Sequence, residues 1–340
     1  YTEPAHKRLV KVVDWYDERG TVRSCDHYNK YGALYARTIF NARGQKVNKS
    51  YFDAKGREII VENYVTRHIT LNEGSMVKIF RNKTDFVIYY MKVNGLESRN
   101  LLFNSLSVPF FVSERLDKTD GQDILFWQEP VGSEIRTRHI FVQKSDAYEK
   151  LLALGAPSEK LHKLGFIYQY ERKNTFGKDV LICTNSENVA HAHQITKALP
   201  QLHFHIAAIT EMSTKLLTVG AYDNVTMYPC VKTSILDELF HKCDLYLDIN
   251  HEGEIVSAVS RAFLNDQLIY AFKETLHNTV YVAKEHIYAE DNVKELIAQL
   301  QRVTQDAAYM EQELDVQKAG ALAETEEHFK EIIENTELLW

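Results

Sequence analysis

The second half of this 340-residue sequence concentrates side chains that can do acid–base or metal chemistry. His251 precedes Glu252, a pairing that can move a proton, and two His-x-His pairs occupy residues 191–193 and 203–205. On a strand, such a pair shares one face and can present two nitrogens to a metal ion. No further thiol or carboxylate follows at matching spacing, apart from the distant Cys183. We therefore expect ordinary histidines and no metal site.

Two other kinds of catalytic site are not indicated by any motif. No serine lies in the Gly-x-Ser-x-Gly turn that exposes the nucleophile of many hydrolases. The sequence also lacks the glycine-rich loops that hold phosphate groups, Gly-x-Gly-x-x-Gly and the Walker motif. We therefore expect no cofactor.

Composition indicates a folded protein with a substantial core. Hydrophobic residues make up 45% and charged residues 26% of the chain, and the length favours two compact units. The net charge of −7 argues against a nucleic-acid-binding protein, whose affinity comes from phosphate contacts. No apolar run reaches the ~18 residues of a membrane span. Four cysteines without Cys-x-x-Cys spacing predict a reduced, cytoplasmic protein.

Charge is distributed unevenly between the two ends of the chain. Residues 1–75 contain 13 basic and 9 acidic residues, whereas residues 291–340 contain 4 basic and 12 acidic ones. Apolar residues in the acidic end recur at helical spacing, behind a possible N-cap at Asp291. The two stripes are Val293, Leu296, Ile297, Leu300 and Val303, then Phe329, Ile332, Ile333 and Thr336. We expect surface helices with solvated acidic faces; an acidic docking tail is the alternative.

A repeat of twelve residues dominates the basic end. Each copy has an aromatic residue, then Asp or Asn, two variable residues and Gly. Asp or Asn can bond to the backbone two residues on, and Gly supplies the positive φ that closes a hairpin. We therefore predict a meander of long antiparallel strands over residues 8–70. The four copies are Tyr16–Gly20, Tyr28–Gly32, Phe40–Gly44 and Phe52–Gly56.

The predicted meander requires a neighbour. Along residues 22–28 neither set of alternating side chains forms an apolar stripe, so the sheet gains little from its own burial. Either the rest of the chain covers it or it is a platform for another polypeptide. The predicted partner-binding residues are Tyr16, Arg23, Tyr28, Phe40 and Phe52.

The middle and later parts of the chain alternate short apolar runs with helical segments, which predicts parallel sheets covered by helices. The predicted strands are 123–127, 137–142, 180–183, 204–209, 225–228 and 245–249. The predicted helices are 147–154, 189–199, 214–219 and 234–242. The polar stretch 171–178 contains Gly177 and is predicted to be a hinge between two α/β units.

Several segments carry a family resemblance. Residues 248–254 followed by 257–263 resemble the carboxylate segment of retaining GT-B glycosyltransferases. Residues 102–106, 122–130 and 206–213, together with the meander, resemble one branch of that group. This branch contains the stabilising B subunits of two-component peptide O-GlcNAc transferases, which modify serine-rich repeat adhesins in Gram-positive bacteria. The resemblance extends from about residue 8 to about residue 300.

The resemblance implies an α/β fold: a GT-B-like pair of Rossmann-type domains with the extended β-meander added. We expect the partner-binding meander at residues 1–75 and an incomplete N-terminal Rossmann-like domain at 76–173. The C-terminal Rossmann-like domain is then expected at 174–300, with acidic helices packing back at 301–340.

The resemblance also defines what a catalyst in this group needs. Active members use a Glu-x7-Glu pair whose second carboxylate binds the ribose, and an Arg and a Lys that neutralise the diphosphate. Glu252 occupies the first position, but Ser260 occupies the second, and no Lys or Arg lies between Lys178 and Lys197. We therefore expect no transfer chemistry here. The expected vestigial or acceptor cleft contains His251, Glu252, Gly253, Glu254, Ser260 and Glu211.

Three functions of different class follow from these observations. The resemblance favours a non-catalytic subunit that stabilises a catalytic A subunit and holds a Ser/Thr-rich adhesin polypeptide, in the cytoplasm or at the inner membrane surface. The alternative is an active retaining transferase using UDP-GlcNAc, with Glu254 replacing the lost carboxylate. The third is a free-standing peptide-binding module.

Overall fold

The computed structural model describes residues 10–116, 123–127 and 139–335, and it forms two compact units, Tyr1–Lys163 and Leu164–Trp340. Thr336 and parts of the segments 122–130 and 137–142 lie outside the described residues. Within the described ranges, no helix has the length and apolarity that crossing a membrane requires.

The first unit begins with the predicted meander. Seven antiparallel strands pair in chain order, so the sheet extends past the predicted end at residue 70 through the rest of β6 and all of β7. The strands are β1 (Val12–Tyr16), β2 (Val22–Tyr28), β3 (Leu34–Phe40), β4 (Lys46–Phe52), β5 (Glu58–Asn63), β6 (Ile69–Glu73) and β7 (Met76–Phe80).

The turn chemistry read from the repeat is confirmed. In the first turn the Asp17 carboxylate accepts backbone N–H bonds from Arg19 and Thr21, both at 3.0 Å. Gly20 adopts φ +74°, and Gly32, Gly44 and Gly56 lie between +74° and +81°. L-residues with a Cβ avoid this left-handed region, which explains why each turn ends in Gly.

The remainder of the first unit is a small α/β layer. Four short parallel strands pair in the order β11-β10-β9-β8 around a core that includes Phe110, Leu125 and Ile140. The strands are β8 (Leu102–Phe103), β9 (Ile124–Trp127), β10 (His139–Val142) and β11 (Leu161–Lys163). The helices are α1 (Lys83–Val93), α2 (Val108–Arg115) and α3 (Ser145–Ala153).

The second unit is a six-stranded parallel sheet with helices on both faces. Its strands lie in the order β14-β13-β12-β15-β16-β17. The strand order therefore reverses between β12 and β15: successive strands are added toward one edge from β12 to β14 and toward the other edge from β15 to β17. The strands are β12 (Asp179–Thr184), β13 (His203–Ala208), β14 (Val225–Tyr228), β15 (Leu245–Asp248), β16 (Leu268–Phe272) and β17 (Ile287–Tyr288). The helices are α4 (Ala192–Ala198), α5 (Thr214–Leu217), α6 (Thr233–Lys242), α7 (Ala258–Leu264), α8 (Val293–Val303), α9 (Ala307–Gly320) and α10 (Glu326–Asn335). Thus the mixed α/β class with an antiparallel meander is confirmed.

The segment 171–178 is held in place by hydrogen bonds, in contrast to the hinge expected from its composition. Asp244 is 1% exposed and accepts bonds from Arg172 (2.7 Å), from the Thr175 hydroxyl (2.6 Å) and from the Gly177 backbone (2.7 Å). A buried carboxylate needs such partners, because its desolvation is otherwise costly. The segment is therefore an integral part of the second unit.

Helices α8 and α9 of the acidic C-terminal region pack on the second sheet through apolar side chains. Helix α8 buries Val293, Leu296, Leu300 and Val303, and it follows an N-cap at Asn292 instead of Asp291. On α9, Gln317 accepts a bond from the Ile269 backbone N–H at 2.8 Å and donates to the Gln267 carbonyl at 2.8 Å. These contacts satisfy backbone groups of β16 and of the residue just before it. The four domain ranges expected from sequence stay a prediction.

Candidate functional site

The candidate site lies at the carboxyl ends of β12 and β15, where the strand order reverses. Ligands of open parallel sheets bind at such a point. Asn250, 2% exposed, accepts a hydrogen bond from the Thr184 hydroxyl at 2.8 Å and donates to the Glu252 carbonyl at 3.0 Å. The side chain of Asn250 therefore links the ends of the two strands and fixes the loop that follows β15.

His277 is the second fixed point of this loop, and sequence analysis missed it. Its Nδ1 lies 2.6 Å from Asp248 Oδ1, and its Nε2 contacts the Glu252 carbonyl oxygen at 2.5 Å. The hydrogen bond to Asp248 is the main cause that raises the pKa of His277 to about 9. At neutral pH it is therefore an imidazolium that donates from both nitrogens. No local motif could have revealed a contact across 29 residues of chain.

A cleft of about 480 Å³ opens beside this loop. It is lined by residues 187–194, Lys215, Leu216, Val219 and His251. Lys215 places a positive charge in the cleft, although no Lys or Arg lies between Lys178 and Lys197 in the sequence. Its Nζ lies 3.7 Å from the Glu187 carboxylate, so the positive charge already has a counter-charge in the cleft.

Histidines occupy the rim of the cleft. The Glu290 carboxylate lies 3.3 Å from His251 Nε2 and 3.7 Å from His191 Nε2. His193 Nε2 lies 3.0 Å from the Thr218 hydroxyl. These side chains offer hydrogen-bond donors and acceptors to a ligand beside the Glu290 carboxylate.

The predicted cleft residues do not all line the cleft. Of the six, only His251 does. Glu252 is exposed and accepts a bond of 3.4 Å from Asn188, and a Cβ added at Gly253 would meet open space. Glu211 is exposed on the segment after β13. A role for these residues in acceptor binding stays a prediction.

Two predicted residues have structural partners on α7. The Glu254 carboxylate accepts the backbone N–H of Val259 at 2.9 Å, which caps the first turn of the helix. The Ser260 hydroxyl donates to the Ser257 carbonyl at 3.0 Å. The neighbouring Arg261 pairs with Asp237 and lies 4.1 Å from the Phe240 ring centroid. This segment thus provides no carboxylate at the position where the family's second glutamate acts.

The histidine pairs considered for metal binding have other contacts. His205 lies 2.7 Å from Asp179 and 2.9 Å from the Tyr228 hydroxyl, and His203 lies 2.8 Å from Thr226. His191 and His193 begin α4 and do not form a strand pair. Across residues 10–116, 123–127 and 139–335, no three His, Cys, Asp or Glu side chains form a metal-binding group.

The predicted partner-binding residues of the meander differ in exposure. Tyr16 is 62% exposed on the edge strand, and Arg23 lies 4.0 Å from Asp17. Tyr28, Phe40 and Phe52 are half-buried. Nothing in the geometry tests whether they bind a partner, so that assignment stays a prediction.

Comparison with known proteins matches the chain to three consecutive family domains. Residues 1–81 match the GtfB middle domain, residues 83–154 the GtfB third domain and residues 180–317 the GtfB/GlyA-F C-terminal domain. These matches cover both units of the structure.

Full-length relatives and a solved structure agree with these matches. The chain is 39% identical over 98% of its length to a peptide N-acetylglucosaminyltransferase stabilizing protein GtfB of Streptococcus agalactiae, covering 78% of that protein. The Streptococcus gordonii protein of the same name is 37% identical over 93% of this chain and 74% of its own. A crystal structure of the GtfA/B complex bound to UDP and GlcNAc aligns with a TM-score of 0.88 and 36% identity, covering 97% of this chain and 78% of that one. The chain belongs to the GtfB family of peptide N-acetylglucosaminyltransferase stabilizing proteins.

Proposed function

We propose that this chain is a non-catalytic subunit of a protein O-GlcNAc transferase. It stabilises the catalytic subunit and helps to hold Ser/Thr-rich adhesin polypeptides for glycosylation before export. The names of the GtfB relatives and the structural similarity to the GtfA/B complex support the stabilising role. We further infer that the chain contains a GT-B-like pair of Rossmann-type domains. The reversal of strand order in the second sheet supports this inference.

The observation that carries the proposal is the environment of Ser260. An active relative needs a carboxylate there to bind the donor ribose, and a hydroxyl committed to the Ser257 carbonyl is a poor substitute. The diphosphate would also meet Lys215 only after displacing Glu187. Losing one preorganised donor to the developing charge of the diphosphate costs about 3 kcal/mol, and the missing ribose acceptor weakens donor binding as well.

The alternative, an active retaining transferase, relies on Glu254. That carboxylate already caps α7 through the Val259 N–H, and using it for a donor would leave this N–H without its partner. The bonds at Glu254 and Ser260 therefore favour the accessory role over an unusual donor site.

Acceptor binding gives the cleft a function under this proposal. An unfolded Ser/Thr-rich polypeptide has many hydroxyls and little charge, which suits the histidine rim around His251 and Glu290. A second binding surface raises the concentration of acceptor at the catalyst. We place the complex in the cytoplasm, with peripheral membrane association as a further expectation.

A label-transfer assay tests the proposal. Radiolabelled UDP-GlcNAc and a Ser/Thr-rich polypeptide are incubated with this chain, with the catalytic subunit GtfA of the same organism, and with both. We expect no transfer by this chain alone and more transfer by both than by GtfA alone. Transfer by the purified chain alone would identify an active enzyme.

Thermal unfolding with millimolar UDP-GlcNAc is the matching binding test. A donor site with an affinity of tens of micromolar would stabilise the chain by about 2–3 kcal/mol. We expect an unchanged melting temperature for this chain and a raised one for GtfA, which serves as the positive control.

A further inference from the structure

One carboxylate at the rim of the cleft faces two histidines that belong to different segments. Glu290 lies between β17 and α8, His191 directly precedes α4, and His251 follows β15. The Glu290 carboxylate lies 3.3 Å from His251 Nε2 and 3.7 Å from His191 Nε2. Because each segment follows a strand of one parallel sheet, all three lie at its carboxyl edge. We call these three residues the rim clasp.

The backbones of the two histidine segments are joined to each other. The Ala190 N–H donates to the Ile249 carbonyl at 2.8 Å, and the His251 N–H donates to the Asn188 carbonyl at 3.0 Å. Both imidazoles of the clasp line the cleft, and about one third of each side chain is exposed. The backbone is therefore fixed, while each ring is free to turn toward the clasp carboxylate or toward a ligand.

Other ionisable groups around the rim clasp have partners of their own. Their contacts are Lys215 with Glu187 (3.7 Å), His277 with Asp248 (2.6 Å), Glu252 with Asn188 (3.4 Å), Glu274 with the Glu290 N–H (2.9 Å) and His193 with the Thr218 hydroxyl (3.0 Å). Lys273, Asp291 and Lys294 are close to the clasp in the chain, and their exposed charges are screened by solvent. The two clasp histidines therefore share Glu290 as their carboxylate partner.

Protonation changes what the clasp histidines can do in the cleft. Histidine is the side chain whose charge changes between pH 5 and 8. A neutral ring has one nitrogen that accepts a hydrogen bond, for example from a Ser or Thr hydroxyl, whereas an imidazolium has none. A charged ring is also attracted to Glu290, and such contacts shorten to about 2.7–2.9 Å. Acid therefore removes two acceptors from the cleft and holds both rings on one carboxylate.

We propose that the rim clasp is a pH-sensitive switch of acceptor binding. The cleft binds hydroxyl-rich polypeptide while His191 and His251 are neutral, and it releases the polypeptide when both are charged and bound to Glu290. The inference rests on the proposed acceptor-holding function and adds its regulation. One exposed ion pair shifts an equilibrium by up to about fivefold, so two pairs together provide a measurable switch.

Three other histidines contribute little to such a switch. The bond to Asp248 raises the pKa of His277 to about 9, so this residue stays charged from pH 5.5 to pH 7.5. Burial lowers the pKa of His205 and of His286, which favours their neutral forms over the same range. A change in binding between these two pH values therefore reports on the more exposed histidines.

Peptide binding at two pH values tests the switch. The probe is a rhodamine-labelled peptide of Ser, Thr and Ala with blocked termini, because it has no group that titrates in this range. Fluorescence anisotropy measures its dissociation constant for the full chain at pH 7.5 and pH 5.5, and circular dichroism verifies the fold at both. We expect the parent chain to bind at least fivefold more weakly at pH 5.5.

Variants separate the clasp from the other cleft histidine. In Glu290→Gln and in the double variant His191→Gln/His251→Gln, the ratio of the two dissociation constants should fall below twofold. His193→Gln changes a ring that contacts Thr218 and no carboxylate, so it should keep the parent ratio.

Three outcomes would overturn the switch and leave acceptor binding intact. They are a parent ratio below twofold, an unchanged ratio in Glu290→Gln, and a ratio lost equally in His193→Gln. If the parent chain does not bind the peptide at either pH, both the switch and the proposed acceptor-holding function are wrong.

Discussion

At the scale of single residues, His277 determines how the loop after β15 is held. Its imidazolium connects the Asp248 side chain to the Glu252 backbone, so one side chain positions the segment where an active relative would bind a donor. Both hydrogen bonds exist together only while both ring nitrogens carry protons, because a neutral ring donates from one nitrogen. Stability of the second unit should therefore depend on pH in a direction set by this group.

His277→Gln should remove that dependence. A pKa raised from 6.5 to about 9 stabilises the fold fully below pH 6.5, and this stabilisation is lost as pH rises through 9. A shift of this size corresponds to about 3 kcal/mol. Urea unfolding at pH 6 and pH 9.5 should show this loss in the parent chain and little of it in the variant. His193→Gln is the control, and an equal flattening in that variant would contradict the assignment.

Glu254→Ala should lower stability by about 1 kcal/mol, because the Val259 N–H loses its capping acceptor. Glu252→Ala, which removes an exposed carboxylate with one contact of 3.4 Å, should change stability by less than about 0.5 kcal/mol. Chemical denaturation of the two variants measures the difference. Equal stability of both would show that Glu254 is free for another role.

At the scale of elements, the strap formed by residues 171–178 depends on Asp244. Burial alone would raise the pKa of the Asp244 carboxyl. Hydrogen bonds from Thr175, Arg172 and Gly177 outweigh this effect and keep that pKa below its ordinary value. This group therefore stabilises the fold above pH 3.8, and the contribution is lost as pH falls through the folded-state pKa.

Asp244→Asn should cost about 3 kcal/mol, since Arg172 would remain buried with no carboxylate opposite it. Asp237→Asn breaks the ion pair with Arg261 at a site where Asp237 is 51% exposed, and it should cost less than about 1 kcal/mol. Denaturant unfolding at pH 7 compares the two. If the costs were similar, the strap would not be anchored through Asp244.

The elements themselves were largely predictable, because they depend on local patterns. The strand Val225–Tyr228 has the predicted bounds, and α6 begins one residue before the predicted helix. The turns of the meander followed from the Asp/Asn and Gly positions. The His277–Asp248 contact and the place of Lys215 in the cleft were not predicted, because each joins segments that lie far apart in the sequence.

At the scale of the whole molecule, the chain offers a partner both charged regions and exposed apolar side chains. It is basic over residues 1–75 and acidic over residues 291–340, and the meander exposes apolar side chains that include Trp15, Val77 and Ile79. An association driven by the basic and acidic regions would weaken as salt screens them. An association through the apolar side chains of the meander would depend on burial of apolar surface, which salt affects little.

Binding to GtfA through these apolar side chains should respond weakly to ionic strength. The Debye length falls from ~14 Å to ~4 Å between about 50 and 500 mM NaCl, so exposed charges lose most of their mutual attraction over this range. We expect the dissociation constant to change less than about threefold and binding to have a negative heat-capacity change, which marks apolar burial. Calorimetry at several temperatures and salt concentrations measures both. A steep loss of affinity with salt would instead assign the interface to charged side chains, with Lys49 and Lys78 of the meander as the first residues to substitute.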